Sequence, residues 1–196
     1  MRMRLAIVTT LFALTGCISP VGPVQVARFH LSDTTMLGHG TVAVEPAPGM
    51  DGGSLEVRSY AAAVARELAR HGYSEVPAGA PGSQLATVKL EHETYRPGRG
   101  RGPVSLGVGG ATGTYGSGFG VGIGIDLSGP PPEQVTTLLA VAIRDRASGT
   151  VLWEGKAEFT VRADSPLAST QLGAAKLAEA LFQGFPGVSG ETIQVK

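Results

Sequence analysis

The stretch "VTTLLAVAIRDRASGTVLWEGKAEFTV", residues 135–161, decides the fold. In its second half apolar and polar side chains alternate, which is the pattern of a strand with one buried face. Between the two halves, Gly149 supplies the positive φ that a short hairpin connection favours. We therefore predict two antiparallel strands, residues 135–145 and 151–161, with Trp153 as a core anchor.

Strands are also predicted on either side of this hairpin. Residues 85–96 alternate, with Ala86 and His92 on the same side, and this indicates a half-buried strand. The sequence Glu91-His92-Glu93 suggests no metal site, because neighbours on a strand point to opposite faces. Shorter strands are predicted at residues 24–31, 41–46 and 192–195.

Two amphipathic helices complete the pattern. The first begins after an N-cap at Asp51 or Ser54 and ends at Gly72. Its apolar stripe is Val57, Tyr60, Ala61, Val64 and Leu68. The second covers residues 169–183, with an expected stripe of Leu172, Ala175, Ala178 and Phe182, widened by Leu177 and Leu181. This element order predicts an α+β fold, a two-layer sandwich with two helices on one face of a mixed or antiparallel sheet.

A glycine-rich insertion, residues 98–129, lies before the hairpin and contains 13 glycines in 32 residues. Apolar residues recur there at every second position, which favours a β-hairpin turning near residues 112–117; a disordered linker is the alternative. A partner or the membrane could contact its apolar residues and the arginines at its base, although a solvated basic turn would also explain the arginines. These candidates are Arg99, Arg101, Val108, Phe119, Val121 and Ile123.

The N-terminal residues have the pattern of a secretory signal. Two arginines precede an apolar run at residues 5–14, which is too short to span a membrane. Leu14-Thr15-Gly16-Cys17 resembles the lipobox of bacterial lipoproteins, in which the Cys receives lipid and the chain is cut just before it. We therefore expect a signal peptide at 1–16, a lipidated Cys17 and tether at 17–23, and a single α+β domain at 24–196.

Composition excludes some classes of protein. Without residues 1–16 the chain has 14 basic and 16 acidic side chains, whereas a nucleic-acid-binding protein usually has a basic excess. Cys17 is the only cysteine, so no intrachain disulfide can form. The sequence predicts no cofactor, no metal site and no nucleic-acid partner.

Several of these features together resemble one protein family. They are the lipobox at Cys17, the helix ending His71-Gly72-Tyr73, the hairpin at residues 143–157 and the closing Phe185-Pro186. The chain resembles the DUF4136 family of bacterial outer-membrane lipoproteins, a domain of unknown function. The resemblance implies a lipid anchor in the outer membrane on the periplasmic face, since Ile18 rather than Asp follows the Cys. It implies no catalytic residue.

Three functions remain open from the sequence. The leading hypothesis is a non-enzymatic binding or assembly module of the cell envelope, held at the membrane by its N-terminal lipid and bound to an unknown envelope protein. An envelope hydrolase is the second, because Ser, His and Asp residues such as His30, Asp33, His39 and His92 are present without a recognisable motif. A structural lipoprotein that self-associates through strand edges is the third.

Overall fold

The computed structural model describes residues 22–96, 104–113, 116–125 and 132–196, with side chains described for 22–96 and 132–196. The elements, in chain order, are β1 (Val24–His30), β2 (Thr41–Pro46), α1 (Leu55–Arg70), β3 (Ser74–Val76), β4 (Gln84–Tyr95), β5 (Val104–Gly113), β6 (Gly116–Ile125), β7 (Gln134–Asp145), β8 (Val151–Arg162), a 3-10 turn (Pro166–Ala168), α2 (Thr170–Phe182) and β9 (Thr192–Val195).

Seven strands form one mixed sheet in the order β3-β2-β4-β7-β8-β1-β9. The predicted hairpin is β7 and β8, which lie near the centre of the sheet and pair antiparallel. Strand β2 runs parallel to both β3 and β4, and the remaining pairs are antiparallel. A register shift follows Ile143, where the hairpin leaves regular pairing.

Both helices pack on the same face of this sheet. The inward side chains of the strands, including Val88, Leu139 and Trp153, form one core with Leu68 of α1 and Leu177 of α2. All five of these side chains are buried. The predicted two-layer α+β sandwich is therefore confirmed.

Local capping explains where α1 begins and ends. The Ser54 side chain accepts a hydrogen bond from the backbone N–H of Val57, so Ser54 is the N-cap. Asp51 instead accepts from the N–H of Gly53 in the preceding turn. At the other end Gly72 has a φ of +98°, and the N–H of Tyr73 bonds back to the carbonyl of Leu68.

The stripe expected for α2 is wrong at two positions. Leu172 and Ala175 are exposed, whereas Gly173 and Ala174 face the core. A Cβ on Gly173 would lie 2.8 Å from the carbonyl oxygen of Leu167. The missing side chain at Gly173 therefore lets the helix lie close to the turn before it.

Two features were not settled by the sequence. Strand β3 was not predicted, and it pairs with β2 over only three residues. In the glycine-rich insertion β5 and β6 pair as a separate two-stranded sheet, from Val104 opposite Ile125 to Gly113 opposite Gly116. The predicted apolar face of this hairpin concerns side chains outside the described set, so it stays a prediction.

Candidate functional site: the open sheet face

The face of the sheet opposite α1 and α2 presents a trough of small side chains, which we call the open face. Within the described part of the chain both helices pack on the other face. On the open face, the central strand β7 presents Ala140 and Ala142, and β1 presents Ala27. Their short side chains form the floor of a groove of about 420 Å³, the open-face groove.

The strand register supplies the walls of the open-face groove. Lys89 on β4 and Lys156 on β8 both lie opposite Ala140, one on each side of it. Ala142 is flanked in the same way by Thr87 and Glu154. Side chains of β4 and β8 therefore stand on both sides of a trough that runs along β7. Three of the four, those of Lys89, Lys156 and Glu154, are long. The margins of the trough are formed by Phe29, Pro48 and Arg144.

Charges of both signs stand around the groove. Lys89, Arg144, Lys156 and Glu154 line it. Glu91 and Glu158 lie on the same sheet face, on either side of Leu138, so three cations stand with three anions. Lys89 is engaged, because its ammonium lies 2.5 Å from the carboxylate of Glu91. That hydrogen bond, the charge of Lys89 and the charge of Lys156 all lower the pKa of Glu91. No described residue forms an ion pair with Arg144, Glu154 or Lys156.

A second group of polar side chains lies between the sheet and the N-termini of both helices, and part of this group is exposed. The Nε2 of His92 is 3.0 Å from the Glu56 carboxylate, and its Nδ1 is 3.0 Å from the Thr137 hydroxyl. The Thr170 hydroxyl donates to the same carboxylate at 3.3 Å. We call Glu56, Tyr60, His92, Thr137 and Thr170 the polar cluster.

Burial determines what the polar cluster can do. Burial, with a contribution from the charge of Glu56, raises the pKa of Tyr60 to about 12. Thr137 is only 2% exposed, so its hydroxyl is closed to a substrate. The polar cluster therefore joins the helix N-termini to β4 and β7.

A third polar group holds the segment after α2 against β1 and β8. The guanidinium of buried Arg28 donates to the carbonyl of Ala180, and burial lowers the pKa of Arg28 while the charge of Glu191 raises it. The indole Nε1 of Trp153 donates to the carbonyl of Pro186 at 2.9 Å. These contacts fix the C-terminal segment against β1 and β8.

The sequence predicted a lipidation site and a partner or membrane contact. The structure describes no side chain for any of the residues named for these two sites. Leu14, Thr15, Gly16, Cys17, Arg99 and Arg101 lie outside the described residues. Val108 lies on β5, directly opposite Val121 on β6. Phe119 and Ile123 lie on β6 on either side of Val121, two residues away in each direction.

No hydrogen bond or ion pair joins any two of the residues considered for a hydrolase, which are His30, Asp33, His39 and His92. His30 lies within hydrogen-bond distance of the carbonyls of Leu31 and Gly187. Asp33 accepts from the N–H and hydroxyl of Thr35, whereas His92 contacts Glu56 and Thr137. The described residues contain no group of three or more His, Cys, Asp or Glu that could hold a metal ion. No helix among them is long and apolar enough to cross a membrane.

Sequence reasoning missed the open-face groove. Its signal is the run of residues 138–143, "LLAVAI", in which the outward positions after Leu138 are alanines. An outward position on a solvated strand usually carries a polar side chain. Two alanines at successive outward positions, Ala140 and Ala142, mark a trough once the strand register shows which side of β7 faces outward.

The fold and the groove define the class of protein: a two-layer α+β sandwich with a groove on the sheet face opposite its two helices. The chain belongs to the family described as a domain of unknown function (DUF4136), which matches residues 41–187. This confirms the family expected from the sequence. The chain is also 31% identical to an uncharacterised protein of Zymomonas mobilis, over 94% of this chain and 84% of that protein. Neither description indicates an enzymatic activity.

Solved structures give weaker likenesses. A PDZ domain protein from Parabacteroides distasonis aligns with 89% of this chain at 13% identity and a TM-score of 0.48, but this chain spans only 39% of that protein. A PelC dodecamer from Paraburkholderia phytofirmans aligns with 79% of this chain and 95% of its own, at 15% identity and a TM-score of 0.42. Both TM-scores are below 0.5, so neither likeness carries an argument about function.

Proposed function

We propose that this chain is a lipid-anchored periplasmic protein of the outer membrane that acts as a non-enzymatic binding or assembly module. The single observation that carries the binding role is the open-face groove. A concave, largely apolar surface with a few convergent polar groups is the usual form of a binding site. Lys156, Arg144 and Glu154 stand at this groove without ion-pair partners among the described residues.

The proposed address rests on the lipobox pattern that ends at Cys17. Acylation of this thiol would hold the protein at a membrane surface, since several buried acyl chains anchor a protein stably. Six residues separate Cys17 from Val24, so at about 3.3 Å per residue the tether spans about 20 Å. The open face would then work close to the bilayer.

Labelling with a palmitate analogue in cells tests the anchor. The wild-type chain should incorporate the label and fractionate with the outer membrane. A Cys17→Ser variant should lose the label and leave the outer-membrane fraction. Normal processing and unchanged membrane association of this variant would contradict the proposed address.

Photocrosslinking in cells tests the binding role separately. A photoreactive amino acid is placed at Ala142 on the floor of the groove, and at exposed Ala62 on α1 as the matched control. We expect a discrete adduct from position 142 that position 62 does not give. Identical products from the two positions would refute binding at the open face.

A further inference from the structure

We infer that the glycine-rich hairpin of β5 and β6 is a second membrane contact, which lies in the interface of the phospholipid bilayer that carries the lipid anchor. This inference rests on the proposed function for the position of that bilayer. It follows from the end of the sheet at which the hairpin is attached, from the length of its strands and from the register that sorts its residues onto two faces.

The hairpin and the N-terminal tether are attached to the same end of the seven-stranded sheet. Strands β1 and β7 both pair antiparallel with β8, so they run in the same direction. Glu158 of β8 lies opposite Gln25, next to the start of β1, and opposite Leu138, in the first half of β7. Tyr95 pairs with Gln134 at this end, and the hairpin is inserted between these two residues. We call this end of the sheet the anchor end.

The tether keeps the anchor end close to the bilayer. It spans about 20 Å at most between Cys17 and Val24. By the register with β8, Gln134 lies about three residue steps, or about 10 Å, nearer to the anchor end than Val24 does. β5 and β6 have 10 residues each, so each strand is about 33 Å long. The hairpin is therefore long enough to reach the bilayer, an apolar medium that the tether keeps within permanent reach.

The register of the hairpin sorts its residues onto two unlike faces. In an antiparallel pair, residues directly opposite each other share a face, and so do residues two apart on one strand. One face, the glycine face, has glycine at every position except Ser105 and Ala111. The other, the apolar face, has Val104, Leu106, Val108, Phe119, Val121, Ile123 and Ile125, together with Gly110, Thr112 and Ser117. An apolar face of this length suits a contact that excludes water.

The edges of the hairpin decide how it meets the bilayer. Among the described strands, β5 and β6 pair only with each other, so each has one edge of unpaired backbone groups. Open sheet edges do not occur in the hydrocarbon region, because no water there can bond to them. The hairpin therefore does not cross the bilayer. It lies flat, with the apolar face toward the acyl chains and the glycine face in the hydrated headgroup region.

Charge contributes little to this contact. Residues 102–125 include no Asp, Glu, Lys or Arg, and the flanking sequence has Arg99 and Arg101 before β5 and Asp126 after β6. Arg96, at the base of the insertion, is already paired with Glu133. Transfer of apolar side chains out of water is therefore the driving force, and the hairpin needs no anionic lipid.

Quenching of fluorescence by labelled lipid tests the contact. The full chain is reconstituted in phosphatidylcholine vesicles whose acyl chains carry a nitroxide close to the headgroup. A fluorescent amino acid is placed at Leu106 on the apolar face, at Ser105 on the glycine face, or at exposed Phe29 near the opposite end of the sheet. Position 106 should be quenched at least about threefold more than positions 105 and 29, because an interfacial apolar face is buried by about 5–10 Å. Equal quenching at position 106 and at either control would overturn the inference.

Two neighbouring substitutions add the same charge to opposite faces of the hairpin. Val121→Asp places a carboxylate on the apolar face and should lower quenching at position 106 at least about threefold. Gly120→Asp places it on the glycine face and should leave quenching unchanged. Urea unfolding midpoints show whether the domain of each variant is folded. Wild-type quenching in Val121→Asp, or an equal loss in both variants, would refute the contact.

Salt separates apolar contact from attraction to headgroups. Quenching at position 106 should be unchanged in ~0.5 M sodium chloride, which screens exposed charges. Release of the hairpin by salt would show that charge holds it at the surface, contrary to the inference.

The remaining outcomes separate this contact from the proposed anchor and from a protein partner. A blue shift of the emission from position 106 that grows with protein concentration, without quenching, would assign the apolar face to a second copy of the chain and overturn the inference. A palmitate label on Cys17 without quenching at position 106 would refute only the hairpin contact. Quenching at position 106 in a chain that takes no palmitate label would support the contact and refute the anchor.

Discussion

The indole ring of Trp153 stacks on the phenyl ring of Phe182, with 5.3 Å between the ring centroids and 19° between the ring planes. Phe185 packs against both rings, at centroid distances of 5.3 and 5.6 Å. The cluster therefore joins β8 to the end of α2 and to the residues that follow it. The indole lies over the backbone of Gly155, two residues along the same face of β8.

Gly155→Ala should destabilise the protein by overpacking this cluster. A Cβ at Gly155 would collide with Cη2 of Trp153 and would lie 2.8 Å from Cδ1 of Leu181. Both neighbours are fully buried and cannot move aside. We expect the free energy of unfolding to fall by about 1–3 kcal/mol, measured by urea denaturation. Gly52→Ala is the control, because its Cβ would meet only Pro46 at 3.4 Å. An equal loss in both variants would contradict the packing argument.

Gly187→Ala should cost more stability than Gly184→Ala. Both glycines have left-handed backbones, with φ of +85° and +71°, so both substitutions introduce strain of about 1–2 kcal/mol. A Cβ at Gly184 would meet nothing within 4 Å, whereas at Gly187 it would lie 2.6 Å from the guanidinium of Arg28. Because Arg28 is 5% exposed and bonded to Ala180, it has little room to retreat.

The difference between these two variants isolates the contact with Arg28. We expect Gly187→Ala to lose at least about 1 kcal/mol more than Gly184→Ala in urea denaturation, since overpacking adds to the strain. Equal losses would mean that the side chain of Arg28 moves freely and does not clamp this segment.

The central sheet could be predicted from the sequence because its signal is local. Strand β8 alternates over its whole length, and the turn at Gly149 allows it to pair with β7. Each predicted boundary of β4, β7 and β8 lies within one residue of the observed boundary. Strand β3 lacked such a signal, since three residues carry no period and its pairing with β2 depends on α1 between them.

The sites could not be predicted because they depend on register between distant segments. In "LLAVAI", residues 138–143, every position is apolar, so the pattern does not show which side faces the helices. Pairing with β4 and β8 places Ala140 between Lys89 and Lys156. In the same way, Glu56 and His92 look like unrelated surface residues until α1 packs across β4.

Thr137→Val should destabilise the protein through the polar cluster. The two side chains have nearly the same shape, but valine leaves the Nδ1 of His92 without its partner at 3.0 Å. This hydrogen bond is part-buried and His92 is partly exposed, so its loss should cost about 1 kcal/mol, the lower end of the range for an unpaired buried group. Urea denaturation measures the loss.

The neighbouring threonine provides the control for this substitution. Thr136 lies on the opposite face of β7, where its hydroxyl contacts that of Thr160 in an exposed position. Thr136→Val should change the free energy of unfolding by less than about 0.5 kcal/mol. A loss at Thr136 as large as that at Thr137 would show that the cluster adds nothing specific.

Tyr60→Phe should make the free energy of unfolding decline less steeply as the pH rises into the alkaline range. The pKa of this phenol is about 12 in the folded protein and about 10 in an unfolded chain, so the unfolded state loses its proton first as the pH rises. The free energy of unfolding therefore falls between about pH 10 and pH 12, by about 2–3 kcal/mol in all, and this contribution does not change further above pH 12.

Urea denaturation below and within that interval should show a shallower decline for Tyr60→Phe. Val64→Ala, also fully buried but not titratable, should lower stability equally at each pH. A decline as steep in Tyr60→Phe as in the wild type would contradict the raised pKa, because no ionisable group then remains at position 60 to produce it.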